Sequence, residues 1–259
     1  MAYTTKRETL ETLEELYQQS KTELQWRSVF SLPAWLTVWW QNFGQGYEPY
    51  LRSIWRGEEL IGFAPLIRKE DTLTYMGCAD VCDYLDLVTL PGKEAEIWAA
   101  LLPGFRAEGI TSLHLTAQRP DAAAFETFFM PFTPGEQHNL GQLIASFEQE
   151  DITYELPLPP TWDAYLAALN KKQRHEVRRK LRRLENEAAS YRYLTLETVV
   201  EIEAFLPTFF ALFQENEIKA DFLTPQMENY FRQLIMAMAA KDLARFGLLE
   251  INEQPAAVI

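Results

Sequence analysis

Eight of the thirteen residues from Lys171 to Arg183 (KKQRHEVRRKLRR) are Lys or Arg, and only Glu176 is acidic. The chain as a whole carries 24 basic and 37 acidic residues, a net charge of −13. Setting this +7 segment aside leaves the remaining residues at −20. Arginine suits an anion site because its planar guanidinium grips phosphate or carboxylate at two points. Like charges three or four residues apart on a helix repel by a few tenths of a kcal/mol per pair, which a bound anion would relieve. The plain alternative is a solvated helix that neutralises an acidic neighbour. The residue types alone leave both open.

Other chemistry-bearing residues are sparse. His114 lies in an apolar run and His138 in an irregular one. Neither has a Ser or Cys at a spacing that suggests a hydrolase triad. Cys78 and Cys82 lack a second ligand pair for zinc, so no metal is expected, and two cysteines are too few for a disulfide framework. The acidic balance argues against broad nucleic-acid binding. No secretory signal opens the chain, and no apolar run approaches the roughly 20 residues that cross a bilayer. A cytoplasmic protein without a membrane span is therefore expected.

The elements that must position these residues follow from periodicity. Leu10, Leu13 and Leu16 predict a helix over 7–19, and LQWRSVF predicts a strand. SLPAWLTVWWQNFG predicts a helix with Ser31 as N-cap and Pro33 in its first turn. Its stripe of Trp35, Trp39 and Phe43 reads as core. Two β-rich runs about RGEE form a hairpin signal, and TLTYMG and DYLDLVTL predict two more strands. A helix over 92–109, which Pro103 must kink or shorten, precedes the strand ITSLHLTA. After a proline-broken stretch, DITYELPLPP predicts a strand and a stop, placing a boundary near 150. Helix, basic helix, strand, two helices and a hairpin about NEQ follow. Within the basic helix a narrow inward face runs through Leu169, Gln173, Val177, Leu181 and Leu184, with the cations in flanking rows. The order of elements restarts after 150, a hint of internal duplication. Because PAAVI stops in what should be mid-strand, the second domain is expected to be C-terminally incomplete.

Five blocks in order and register carry a family resemblance: SLPAWLTVWWQNFG, ELIGFAPLIR, DYLDLV, TWDAYLAALNKKQRHEVRRKLRRLE and IKADFLTPQMENYFRQLI. Together the chain resembles the GNAT-type acyltransferases related to the cellulose-biosynthesis protein CelD and, more distantly, the FemAB aminoacyltransferases. The resemblance implies an α/β fold of tandem GNAT-like domains, mixed sheets flanked by helices, here 1–150 and 151–259. It implies transfer of an acetyl or other acyl group from acetyl-CoA or another acyl-CoA to the amine of a small-molecule or saccharide-linked acceptor. A tRNA-borne donor is the FemAB-like variant.

The resemblance also implies site residues. Asp83 and Tyr84 match the family's Asp-Tyr pair, Asp83 to anchor or deprotonate an amine and Tyr84 to donate a proton. A turn-stabilising role stands beside that for each. Lys172 and Arg174 match a Lys-x-Arg signature, with Arg178 one turn later, and are expected to face a groove between domains and bind an anionic substrate or carrier. Lys219 and Phe222 match a Lys-x-x-Phe block, and Lys219 joins the anion-binding set. The pyrophosphate cradle of such enzymes is a Gly-rich loop opening a helix. QNFGQG (41–46) has the pattern but follows a helix, so Gly44 reads instead as a helix C-cap. A rival of another class is a catalytically silent protein that uses the basic helix, 171–183, to hold an anionic partner.

Overall fold

The computed structural model describes residues 3–78, 80–128, 134–139, 144–188, 190–215 and 220–259. The chain divides into two compact units, Met1–Glu150 and Asp151–Ile259. Both are mixed α/β, with sheets flanked by helices.

The first unit is built on a six-stranded sheet. Strand β1 (Tyr3–Arg7) is followed by helix α1 (Leu13–Ser20), a 3-10 turn (Val29–Ser31) and helix α2 (Pro33–Phe43). The predicted helix over 7–19 gives up its start to the β1 pairing and begins at Leu13. The strand predicted in LQWRSVF is reduced to one bridge, Gln25 to Thr89, before the 3-10 turn. The N-cap of α2 is Leu32, with no side-chain cap, and Ser31 belongs to the preceding turn. Pro33 opens the helix, where its missing N–H costs nothing.

The hairpin forms as predicted, from β2 (Glu48–Arg56) and β3 (Glu59–Lys69), turning at Gly57 with φ +63°. That left-handed backbone is one a side chain adopts at a cost, so glycine suits it. Strand β4 (Thr72–Tyr75) pairs with one end of β3 and β5 (Val88–Thr89) with the other. Helix α3 (Glu94–Ala107) continues through Pro103 with Trp98, Leu101 and Phe105 buried on either side of it. Strand β6 (Ser112–Leu113) lies parallel to β4. The predicted long strands over 83–90 and 110–117 thus shrink to two paired residues each. The short elements α4 (Ala123–Phe128), β7 (His138–Asn139) and β8 (Ile144–Ala145) complete the unit. Its core joins Ile54, Ala64, Leu66 and Tyr75 of the sheet to Ile97, Trp98 and Leu101 of α3.

In the second unit, residues 151–160 form no strand: Ile152, Tyr154, Leu156 and Leu158 are exposed, though they alternate as a strand would. Helix α5 (Trp162–Ala168) is capped by Thr161, and α6 (Lys171–Glu187) by Asn170, whose side chain accepts from Gln173 N–H at 2.9 Å. Strand β9 (Tyr191–Leu196), helices α7 (Val199–Gln214) and α8 (Pro225–Ala239), and the hairpin β10 (Phe246–Ile251) and β11 (Gln254–Val258) follow. The sheet order is β11-β10-β9, antiparallel throughout. Its hairpin turns at Asn252 and Glu253, both left-handed (φ +52° and +65°), as a tight primed turn requires. Ile202, Phe205, Leu206 and Phe210 of α7 pack with Phe246 and Leu248 of β10 in a separate core.

Candidate functional site

Two regions hold the residues the sequence singled out. In the first unit, the DYLDLV block lies between β4 and β5. Met76 N–H bonds Pro65 O at 2.8 Å, and the chain then turns over Cys78, whose carbonyl accepts from Cys82 N–H at 2.9 Å. Gly77 allows this closure, since a Cβ there would stand 2.5 Å from Leu85 and 3.2 Å from the Cys82 sulfur. Leu85 N–H then bonds Ala117 O at 2.9 Å, tying the block to the chain after β6.

Asp83 is exposed on this loop, and Tyr84 is half-buried with the Arg119 guanidinium 5.0 Å from its ring centre. The residue sequence reasoning passed over is Asp86. Its Oδ1 accepts Leu87 N–H at 2.7 Å and Ala123 N–H at 3.1 Å, while Oδ2 accepts Ala123 N–H at 3.2 Å. Burial pushes its carboxyl up to about 7; the two amides and the Arg27 guanidinium pull the other way, and Asp121 adds to the rise. Tyr75 is 1% exposed, and its buried hydroxyl has no hydrogen-bond partner among the described residues. Burial, then the nearby Asp86 charge, holds the Tyr75 hydroxyl well above the usual tyrosine range. Tyr75, Tyr84 and Asp86 line a cavity of about 10 Å3 together with Phe30 and Ser31. One water needs about that much room. The signal in the sequence was the neighbourhood of Asp86: an acid set between Leu85 and Leu87, both buried here.

In the second unit, none of the 17 residues of α6 is buried. Glu176 pairs with Arg179 at 2.7 Å and Glu187 with Arg183 at 2.7 Å. Arg174 is engaged otherwise. Its Nε donates to Leu166 O at 2.7 Å, and one terminal nitrogen donates to Ala167 O at 2.9 Å and Leu169 O at 2.7 Å. These are the last carbonyls of α5, which have no partner within their own helix. Arg174 therefore locks the α5–α6 junction. Lys172 and Arg178 are exposed and form no ion pair among the described residues. Lys219 lies outside the described residues; Phe222 packs near Phe231, their ring centres 6.1 Å apart.

Gly44 is the C-cap of α2, its N–H bonding Trp40 O at 2.9 Å, so QNFGQG closes a helix. Helix α3 opens with Glu94 and Glu96, and Glu94 accepts the Gly92 N–H at 3.3 Å. A carboxylate already meets that amide, and its charge repels phosphate. No cluster of metal-ligating side chains occurs, and no helix is long and apolar enough to cross a membrane, among the described residues.

Against known proteins, the model of the family described as "Acetyltransferase (GNAT) domain" matches residues 171–259, from the first residue of α6 to Ile259. No curated protein matches. Among solved structures, the chain is similar to a conserved protein of unknown function from Bacteroides thetaiotaomicron VPI-5482. The identity is 15%, over 99% of this chain and 74% of that one, with a TM-score of 0.46.

Proposed function

We propose that the protein is an N-acyltransferase, which moves an acetyl or related acyl group from an acyl-CoA to the amine of a small-molecule or saccharide-linked acceptor. The observation that carries this reading is the acetyltransferase match over 171–259. The topology supports extending it to the first unit. There β1, α1, α2, β2 and β3 run in the same order and pairing as β9, α7, α8, β10 and β11. Fold alone does not fix chemistry, so roles are assigned by side chain. Lys172 and Arg178 offer unpaired cations to the phosphates of a donor or carrier, and Arg174 holds the helix that presents them. Asp83 anchors the acceptor ammonium from its exposed loop, and Tyr84 stands by as a proton donor.

A thermal-shift series with acetyl-CoA and desulfo-CoA tests the proposal. Stabilisation at micromolar concentrations of either is expected, and loss of it in the Lys172→Ala, Arg178→Ala double variant places the phosphates on α6. A second reading has its own observation: a 17-residue helix with no buried residue and eight cations is also a surface for an acidic macromolecule. Indifference to CoA together with stabilisation by polyanions would favour that silent binding protein. Binding of tRNA with a steep salt dependence would point to a tRNA-borne donor.

A further inference from the structure

Residues 151–158 and strand β9 each carry an apolar row that nothing covers among the described residues. Ile152, Tyr154, Leu156 and Leu158 are between 60% and 91% exposed. They alternate with Asp151, Thr153, Glu155 and Pro157, and the segment pairs with no described strand. On β9, Leu194 and Leu196 pack with the α7 core, so Tyr191 and Tyr193 fall on the opposite face, both exposed.

Each row belongs to a backbone with one open edge. Gly247 of β10 exchanges hydrogen bonds with Ile259, N–H to O at 2.8 Å and back at 3.0 Å. Strand amides alternate in direction, so its neighbours Phe246 and Leu248 turn the other way, toward their register partners Leu196 and Leu194. The N–H and C=O groups of Tyr191, Tyr193 and Thr195 therefore point away from the sheet, along an edge that no described strand fills. The segment has a matching asymmetry. Pro157 and Pro159 lack an N–H, which spoils the edge formed by odd-numbered residues, while the even-numbered residues keep every donor. Ile152 N–H meets the Asp151 carboxylate at 2.7 Å, and those of Tyr154 and Leu156 have no partner among the described residues. The corresponding edge of the first sheet is β1, whose Lys6 and Arg7 are the kind of charge that keeps an open edge from pairing. Strand β9 carries only Arg192, which lies on the α7 side and pairs with Glu250.

We propose that residues 151–157 of one copy of the chain add antiparallel to β9 of a second copy, and the reverse, forming a two-fold dimer. In an antiparallel ladder, bonded residues directly opposite each other share a face. The even-numbered row thus lands beside Tyr191, Tyr193 and Thr195, and the two exposed rows cover one another. Charge selects the register. With Glu155 opposite Arg192, Leu156 faces Tyr191, Tyr154 faces Tyr193 and Ile152 faces Thr195, and the ring of Pro157 turns its missing donor outward. The occupant is a second copy because, within one chain, the connection from this segment to β9 runs through α5 and α6. A helical crossover of that kind joins parallel strands, and parallel pairing would put the even-numbered row on the face away from the two tyrosines. One two-fold axis closes both ladders together. The inference stands on backbone geometry and does not depend on the transferase reading.

Sedimentation and amide exchange of the full chain test it. A dimer is expected at micromolar concentration, with exchange at Tyr154, Leu156, Tyr191 and Tyr193 slowed as the dimer fills. Two proline variants then read the parity of the ladder. Tyr154→Pro removes an inward donor and should leave a monomer, whereas Thr153→Pro removes an outward one and should remain dimeric. The segment is exposed, so both should keep the parent's thermal unfolding. Tyr154→Cys mixed with Tyr193→Cys should form a disulfide between chains, because opposed bonded residues have Cα atoms about 5.5 Å apart. A parent that stays monomeric overturns the proposal, whether the segment's amides exchange freely or are slowed on the chain's own sheet. So does a dimer that responds equally to the two prolines.

Discussion

The path β1–α1–α2–β2–β3 and the path β9–α7–α8–β10–β11 are the same route traced twice, but they are filled differently. In the first, the middles of β2 and β3 are buried on both faces. Gly62 lies against Ile97 of α3 on one side, and Phe63 stacks with Trp26 on the other, ring centres 5.9 Å apart. In the second, Leu194 and Leu196 of β9 pack with the α7 core while Tyr191 and Tyr193 are 47% and 64% exposed. The first unit continues with β4 and β6, which extend the same sheet, and with α3, which packs on it; the Asp86 loop lies between β4 and β5. So the half-buried Asp86 comes with the unit whose sheet α3 covers, and the exposed Lys172 and Arg178 come with the unit that has no such layer among its described residues.

The sharpest way to break this comparison is to cut into each core separately. Trp98→Ala is expected to cost about 3–5 kcal/mol, seen in urea unfolding as an early transition of the first unit with the second unmoved. Phe210→Ala should do the converse by a similar amount. If both transitions shift together in either variant, the two cores are not independent.

Next in size is the pH dependence of Asp86. A carboxyl whose folded value is raised from 3.8 to about 7 binds its proton more tightly in the folded state. Stability therefore falls as pH rises from about 4 to 7 and levels off above. Asp86→Asn should match the parent at pH 4 and exceed it at pH 8 by as much as ~4 kcal/mol. Equal stability across that range would mean the carboxyl is not buried as described.

Smaller effects sharpen the contrast between covered and open sheet. Gly62→Val, which places a Cβ 2.6 Å from Ile97 Cδ1, should cost about 1–3 kcal/mol by overpacking under α3. In the second unit, Arg174→Ala should cost about 1–2 kcal/mol and speed amide exchange across the α5–α6 junction. Lys172→Ala with Arg178→Ala should change stability by less than about 0.5 kcal/mol, because both side chains are exposed and unpaired.

Long amphipathic elements were readable in the sequence because their periodicity is local. Pro33 in the first turn of α2, the basic run of α6 and the β2–β3 hairpin follow from local chemistry, whereas the caps Thr161, Asn170, Thr198 and Thr224 were passed over. What misled were strand-like runs whose pairing depends on distant partners. ITSLHLTA pairs through Ser112 and Leu113 only, and DITYELPLPP pairs with nothing among the described residues, although both alternate. Conversely, every residue of YTTKR is exposed, and it is a strand because β2 offers an edge. The site was legible in part. The basic helix announced itself by charge, but that Arg174 turns back onto α5 depends on where the preceding chain ends. Asp86 was hidden because one aspartate reads like another until the burial around each is known.

Acyl transfer is measured most directly as product formation: the full chain incubated with acetyl-CoA and a panel of small amines and amino sugars, with thiol release and the mass of the N-acetylated product followed together. Stoichiometric free CoA and acetyl-amide are expected for at least one acceptor, with a rate that rises as pH passes 7. Acetyl-CoA remaining intact with every acceptor, while the chain binds polyanions, would contradict it.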